Sequence, residues 1–161
     1  MTDRVNQILQ NEEYQQNYYK NEECEVDRVF CKHDMVHFLD VARIAQIINL
    51  KEELLVSEEL IYAAALLHDI GRHEQYRKGI RHEEASAVIA RDILPQCGFD
   101  EKETDVILRA IRHHRTVEIK EQGNLDGILY RADKLSRACF ACKAEKDCNW
   151  KGDKKNHQLL Q

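Results

Sequence analysis

The 161 residues carry 24 Lys and Arg against 29 Asp and Glu, a net charge of −5 at pH 7 and a pI near 5.9. That balance argues against long nucleic acid as a partner, while a local basic cluster could still hold a small phosphorylated molecule. Hydrophobic residues make up 43% and charged residues 33%, with six Gly and one Pro, which suits one compact, mostly helical domain better than a sheet or a disordered chain.

The N-terminal stretch MTDRVNQILQNEEYQQ lacks the basic start and apolar core of a signal peptide. No apolar run approaches the roughly 18 residues of a membrane span, so the expected setting is cytoplasmic, without a membrane partner. From Val5 to about Tyr19 the chain reads as one polar helix with a thin apolar edge of Val5, Ile8 and Leu9, lying across the core. Asp34 to Leu50 reads as a second, in which His37, Val41, Ile44 and Ile48 share a face, so His37 points inward. Ser57 is a favourable N-cap for the strongly apolar run Leu60 to Leu67, which ends in His68 and Asp69.

Gly71 to Gly79, with Arg72, His73, Arg77 and Lys78, reads as a polar loop; Arg77, Lys78 and Arg81 stand where a substrate rim is expected, but a solvated loop is the preferred reading. His82 opens the next helix above Ala85, Ile89 and Ile93, and Pro95 and Gly98 mark its end. Asp100 and Glu103 resemble an acidic capping box for the helix of Val106, Ile107, Ala110 and Ile111, which finishes in His113 and His114. After the break at Gly123 and Asn124, the last long helix carries Leu125, Leu129, Ala132 and Asp133. No alternation long enough for a sheet occurs, and the fold class is read as all-α.

His68 and Asp69 alone would pass as a helix cap, but five helical segments each bring His or Asp to an apolar face or its end. Several such histidines are hard to satisfy by protein hydrogen bonds, and an ionised Asp is costly to bury unpaired, which points to a metal centre. Between His113 and His114, the latter is preferred because Ile107, Ala110 and Ile111 lie on its side. His33, one turn before His37, takes a supporting role, while His73, in a polar loop, and His157, near the terminus, are read as non-ligands.

The strings HFLDVARIA, LLHDIGR, HEEASA, AIRHH and YRADKLSR resemble the HD superfamily of metal-dependent phosphohydrolases in their ordered His, HisAsp, His, His and Asp, over about residues 33 to 138. The resemblance implies a single all-helical HD-type domain of about five to seven helices, with a minimal metal set of His37, His68, Asp69 and Asp133. His82 and His114, with His113 as the alternative, are what two-metal members add, and the HDIG subgroup is the nearest match. On chemical grounds, two cations about 3.5–4 Å apart and bridged by a carboxylate can share a hydroxide that attacks phosphorus, and Asp69 is the natural bridge and catalytic residue. Iron, manganese and zinc all suit such ligands, and the resemblance adds iron or manganese as frequent choices. Arg72, Lys134 and Arg137 stand near these positions as candidate phosphate-binding residues.

Beyond the last helix, Cys139, Cys142 and Cys148 form a CxxC-x5-C arrangement, and Cys31 is the candidate fourth ligand for a zinc ion or an iron–sulfur cluster. Ordinary reduced thiols are the competing reading. The expected organisation is a helix over 1–30 packed on the core, the HD domain over 31–138, and a cysteine-containing tail over 139–161 belonging to the same domain. The leading functional expectation is cleavage of a phosphate ester or anhydride of a nucleotide or related small metabolite. A dinuclear iron oxygenase of the same superfamily and a nucleotide-sensing module without turnover are the rivals.

Overall fold

Asn11 divides the N-terminal segment in two. The computed structural model describes residues 3–161, and among them α1 (Arg4–Gln10) gives way at Asn11 to α2 (Glu12–Cys24), because the Asn11 side chain caps the second helix by accepting from Tyr14 N–H. A single helix was expected here; a good N-cap residue with extended backbone starts a new one instead. The remaining helices are α3 (Met35–Lys51), α4 (Glu58–Leu67), α5 (Arg72–Lys78), α6 (His82–Gln96), α7 (Glu101–His113) and α8 (Leu125–Leu135). All-helical architecture is thus observed, with six helices of ten residues or more and two of seven, α1 and α5, and no strand among the described residues. Nor is any described helix long and apolar enough to cross a membrane.

Past its acidic first turn, Glu58 and Glu59, α4 is apolar on all sides and lies at the centre, touching α1, α3, α6, α7 and α8. Ile61, Leu66 and Leu67 are fully buried, as are Ala63, Ala64 and Ala65, whose small side chains let the neighbouring helices approach. Phe38 and Val41 of α3, Ile93 and Leu94 of α6, Ile107 and Ile111 of α7 and Ile128 and Leu129 of α8 close around it. Burying each such side chain stabilises the fold by roughly 1.5–3 kcal/mol, so the buried hub is held from several directions. The Asp100–Glu103 capping box forms with both of its bonds. Ser57 occupies the N-cap of α4, but its hydroxyl makes no capping bond.

The expected loop from Gly71 to Gly79 is mostly helical. α5 has no apolar stripe to announce it; instead Glu74 pairs with Lys78 one turn on, and Gly79 ends the helix in the left-handed conformation with φ 71°. Its His73 is buried, with its N–H donating to Asn21 Oδ1 at 2.8 Å and its ring bonded to Asn17.

Glu25, at the end of α2, ties this region together by accepting from His33 Nδ1–H and from the Tyr76 hydroxyl, both at 2.7 Å. Burial pushes its carboxyl up, but the bonds from His33 and Tyr76 outweigh it and the pKa falls to about 2. A depressed carboxyl stabilises the fold above its unfolded pKa and loses that contribution as pH falls through the folded value. Glu25→Gln is therefore expected to cost roughly 2–3 kcal/mol at neutral pH, a deficit that shrinks between about pH 4.5 and 2; urea titrations across that range check it.

Candidate metal centre

Five helices deliver the expected residues to one point. His37 sits in the first turn of α3, where its backbone N–H is capped by Asp34; His68 is the C-cap of α4 and Asp69 follows it. His82 opens α6, His114 is the C-cap of α7, and Asp133 lies in the last turn of α8. Helix ends, rather than helix middles, supply most of the cluster.

Asp69, fully inside the protein, divides its two oxygens. Oδ2 is 3.1 Å from His68 Nε2 and 3.3 Å from His37 Nε2, while Oδ1 is 3.3 Å from His82 Nε2 and 3.6 Å from His114 Nε2. Asp133 Oδ1 joins the first pair, 3.4 Å from His37 Nε2 and 3.6 Å from His68 Nε2. Two groups result whose donor atoms lie within 4.8 Å of one another and could each hold an ion: His37, His68, Asp69 and Asp133, and Asp69, His82 and His114.

The protons on the imidazoles test whether a cation fits. His68 Nδ1 and His114 Nδ1 each lie 2.6 Å from a carbonyl oxygen, of Ala65 and Ile111, and a carbonyl only accepts, so both Nδ1 atoms carry hydrogen. His82 Nδ1–H donates to Gln75 Oε1 at 2.6 Å; His37 Nδ1–H donates at 3.3 Å to Ser136 Oγ, whose own hydrogen goes to the Asp133 carbonyl. With the rings neutral, four Nε2 lone pairs point inward, and they meet in facing pairs at 3.2 Å, His37 with His68 and His82 with His114. Lone pairs facing one another beside a buried carboxylate oxygen that has no hydrogen-bond partner, Asp69 Oδ1, are the arrangement a cation satisfies.

Without a cation the charges are uneven. Burial opposes charge on His68, but Asp69 and Asp133 overcome it and push it up to about 10, whereas burial drives His82 down to about 2. Burial would also raise both carboxyls; His68 and Arg72 hold Asp69 well below the usual carboxylate range, and Lys134 does the same for Asp133.

The surrounding side chains sort by what they touch. His33 is buried but its lone pair is spent: Arg72 Nη2 donates to His33 Nε2 at 2.8 Å, so His33 orients Arg72. Arg72 Nε lies 3.5 Å from Asp69 Oδ1 and is buried without a hydrogen-bond partner. Lys134 Nζ bonds Asp133 Oδ2 and the His114 carbonyl, tying α8 to the end of α7. Arg137 stacks on Trp150 at 4.2 Å. All three expected phosphate-binding residues line a cavity of about 960 Å³ that opens onto the cluster.

Reasoning from sequence passed over Lys32 and Arg115, two exposed cations on the same cavity that make no hydrogen bond or ion pair with described residues. For Arg115 the signal was its place directly after His114. Gln75, which sets the His82 tautomer, had no signal, since its role depends on how α5 meets α6. Cys31, Cys139, Cys142 and Cys148 line the same cavity as free thiols, but their sulfurs are not among the groups that close to within 4.8 Å.

His113 turns away from the cluster, its side chain 43% exposed and Nδ1 3.1 Å from Asp126 Oδ2. His113→Ala is expected to leave metal content unchanged and to cost no more than about 1 kcal/mol of stability. His114→Ala is expected to lower metal content by roughly one ion per chain, because it removes one of three donors. Metal analysis of the two variants separates neighbours that sequence could barely rank.

A model of the HD domain matches residues 35–138. The chain belongs to the HD domain family. The match begins at the first residue of α3 and runs through the end of α8, so it takes in all six residues of the cluster. An uncharacterized protein of Clostridium beijerinckii is 46% identical over 157 residues, 98% of each chain. The crystal structure of a predicted HD superfamily hydrolase from an uncultured Thermotogales bacterium is similar with a TM-score of 0.59 and 31% identity, over 75% of this chain and 66% of that one. A bifunctional uridylyltransferase/uridylyl-removing enzyme of Gluconobacter oxydans is 37% identical over 83 residues, 50% of this chain but only 8% of the much longer enzyme. The HD domain here accordingly has the HD superfamily hydrolase-like fold, and its His and Asp clusters could hold metal.

Proposed function

We propose that this HD domain is a phosphohydrolase of the HDIG type with a dinuclear centre, acting on a phosphate ester or anhydride of a nucleotide or related small metabolite. The observation that carries the reading is the division of Asp69, one oxygen facing two imidazole lone pairs and the other facing two more. His37, His68, Asp69 and Asp133 would hold one ion, and Asp69, His82 and His114 the second. When bound, iron, manganese or zinc there supplies Lewis acidity and lowers the pKa of bound water.

The chain's own residues do the rest. Lys134 keeps Asp133 ionised and fixed, and His33 aims Arg72 at the cluster. Arg72, with Arg137 and the unpaired Lys32 and Arg115, gives an acidic protein a cationic cavity suited to phosphoryl oxygens. Phe30, which lines the same cavity, offers a ring for a base. The uridylyl-removing relative supports this choice of bond, since taking off a nucleotidyl group breaks a phosphate ester. Free cysteines throughout fit a reducing cytoplasm.

Arg115→Ala is expected to raise KM by about tenfold, ~1.4 kcal/mol, with little change in kcat, as for a cation that binds substrate and transition state alike. The decisive assay incubates manganese- or iron-loaded protein anaerobically with nucleotides and sugar phosphates and measures phosphate or nucleotide release. Release without oxygen is the expected result. Turnover that requires oxygen would replace the reading by an oxygenase, and binding without turnover by a sensing module.

A further inference from the structure

The segment from Cys139 to Gln161 has no core of its own. None of its described side chains is buried, and its regular structure is confined to three-residue turns at Cys139–Ala141, Glu145–Asp147 and Gly152–Lys154. What attaches it is mostly polar: Asn156 Nδ2 donates to the carbonyls of Leu135 and Arg137, Cys139 N–H donates to the Asn156 carbonyl, and Arg137 stacks on Trp150, with Leu160 adding a partly buried apolar contact to the core. Contacts of this kind contribute little each in water, and segments too small to bury apolar surface are commonly fixed by a metal or a disulfide. All six cysteines are free thiols.

We infer that Cys31, Cys139, Cys142 and Cys148 form a four-thiolate zinc site that fastens residues 139–161 to the loop between α2 and α3, so that this segment makes one wall of the cavity over the His and Asp cluster. The four cysteines come from two separated parts of the chain yet line the same cavity. Cys139 and Cys142 lie on one tight turn, Cys142 N–H donating to the Cys139 carbonyl at 3.3 Å, which is the CxxC geometry that presents two sulfurs to one ion. Asn156 N–H donates to Cys139 Sγ at 3.3 Å, so a backbone bond already fixes that sulfur.

Two cations, Arg137 and Lys155, line the same cavity as the four cysteines. The sulfurs do not close as the histidines do, and they sit on half-exposed or exposed side chains rather than in the packed core. Zinc entry, with loss of the four thiol protons, and final ordering of the wall are then one event.

The test uses the full chain purified without chelator. A mercurial reagent is titrated against its thiols while released zinc is read with a metallochromic dye. One zinc per chain released in step with thiol modification is expected. Titration of the thiols without zinc release, or recovery of iron and acid-labile sulfide instead, would overturn the inference. Cys142→Ser/Cys148→Ser is expected to lack this zinc, to keep its His and Asp metals, and to be cut by trypsin at Lys143 or Lys146 about tenfold faster. Asp69→Ala is expected to keep it, so this site and the dinuclear reading fail independently.

Discussion

Alanine at position 69 is expected to empty both proposed metal positions at once and to abolish turnover. Each position loses a donor, and it is the same side chain: Oδ2 leaves His37, His68 and Asp133 with one carboxylate, and Oδ1 leaves His82 and His114 with none. Removing a donor costs far more here than at an exposed site, because three of the four imidazoles, His68, His82 and His114, are buried and cannot recruit a solvated replacement. Metal analysis should find less than about a tenth of the wild-type content, and activity should fall by on the order of 1,000-fold or more, the several kcal/mol of charge stabilisation that metals supply. An unchanged helical circular dichroism spectrum would tie the loss to the site rather than to unfolding. Full activity in the variant would end the proposal.

Gly71→Ala is expected to damage the fold through a single added methyl group. Gly71 is not needed for its backbone angles, since its φ of −96° suits any residue. It is needed for space: an added Cβ would stand 2.6 Å from Ser86 N, 2.7 Å from Ala85 C and 2.8 Å from Ala85 Cβ. Two of these are backbone atoms of α6, which cannot swing aside, so α6 must move away from the turn after Asp69. The shift also stretches the bond from Gly71 N–H to Ser86 Oγ, 2.9 Å long, and it carries His82 with it. We expect a loss of about 3 kcal/mol or more, roughly 6–12 °C in Tm, measured by thermal denaturation. The His82 side of the cluster should lose metal before the His68 side does.

The legible part of the molecule is the part governed by periodicity and helix ends. His37, His68, Asp69, His82 and Asp133 stood out because each sits on an apolar face or at its limit, and the structure brings all five together with His114. His33 and His73 were less readable, because their burial depends on polar partners far along the chain, Arg72 for one and Asn17 with Asn21 for the other. α5 escaped for the same reason: it is held by tertiary contacts and a left-handed glycine, not by an apolar stripe. Lys32 and Arg115 are single exposed cations, and nothing local distinguishes them from any solvated charge until the cavity is seen.

His68 and His114 each donate from Nδ1 to a carbonyl three residues back in the helix they terminate. Those carbonyls belong to last turns, where backbone donors are scarce; the Ile111 carbonyl takes only a long bond of 3.4 Å from the His114 backbone N–H. A cation pulling on Nε2 makes each Nδ1–H a stronger donor, so loading the centre tightens the ends of α4 and α7 from outside the helices. Amide hydrogen exchange in those two turns is thus a readout of occupancy: protection there should rise with metal while the other helix ends stay as they were.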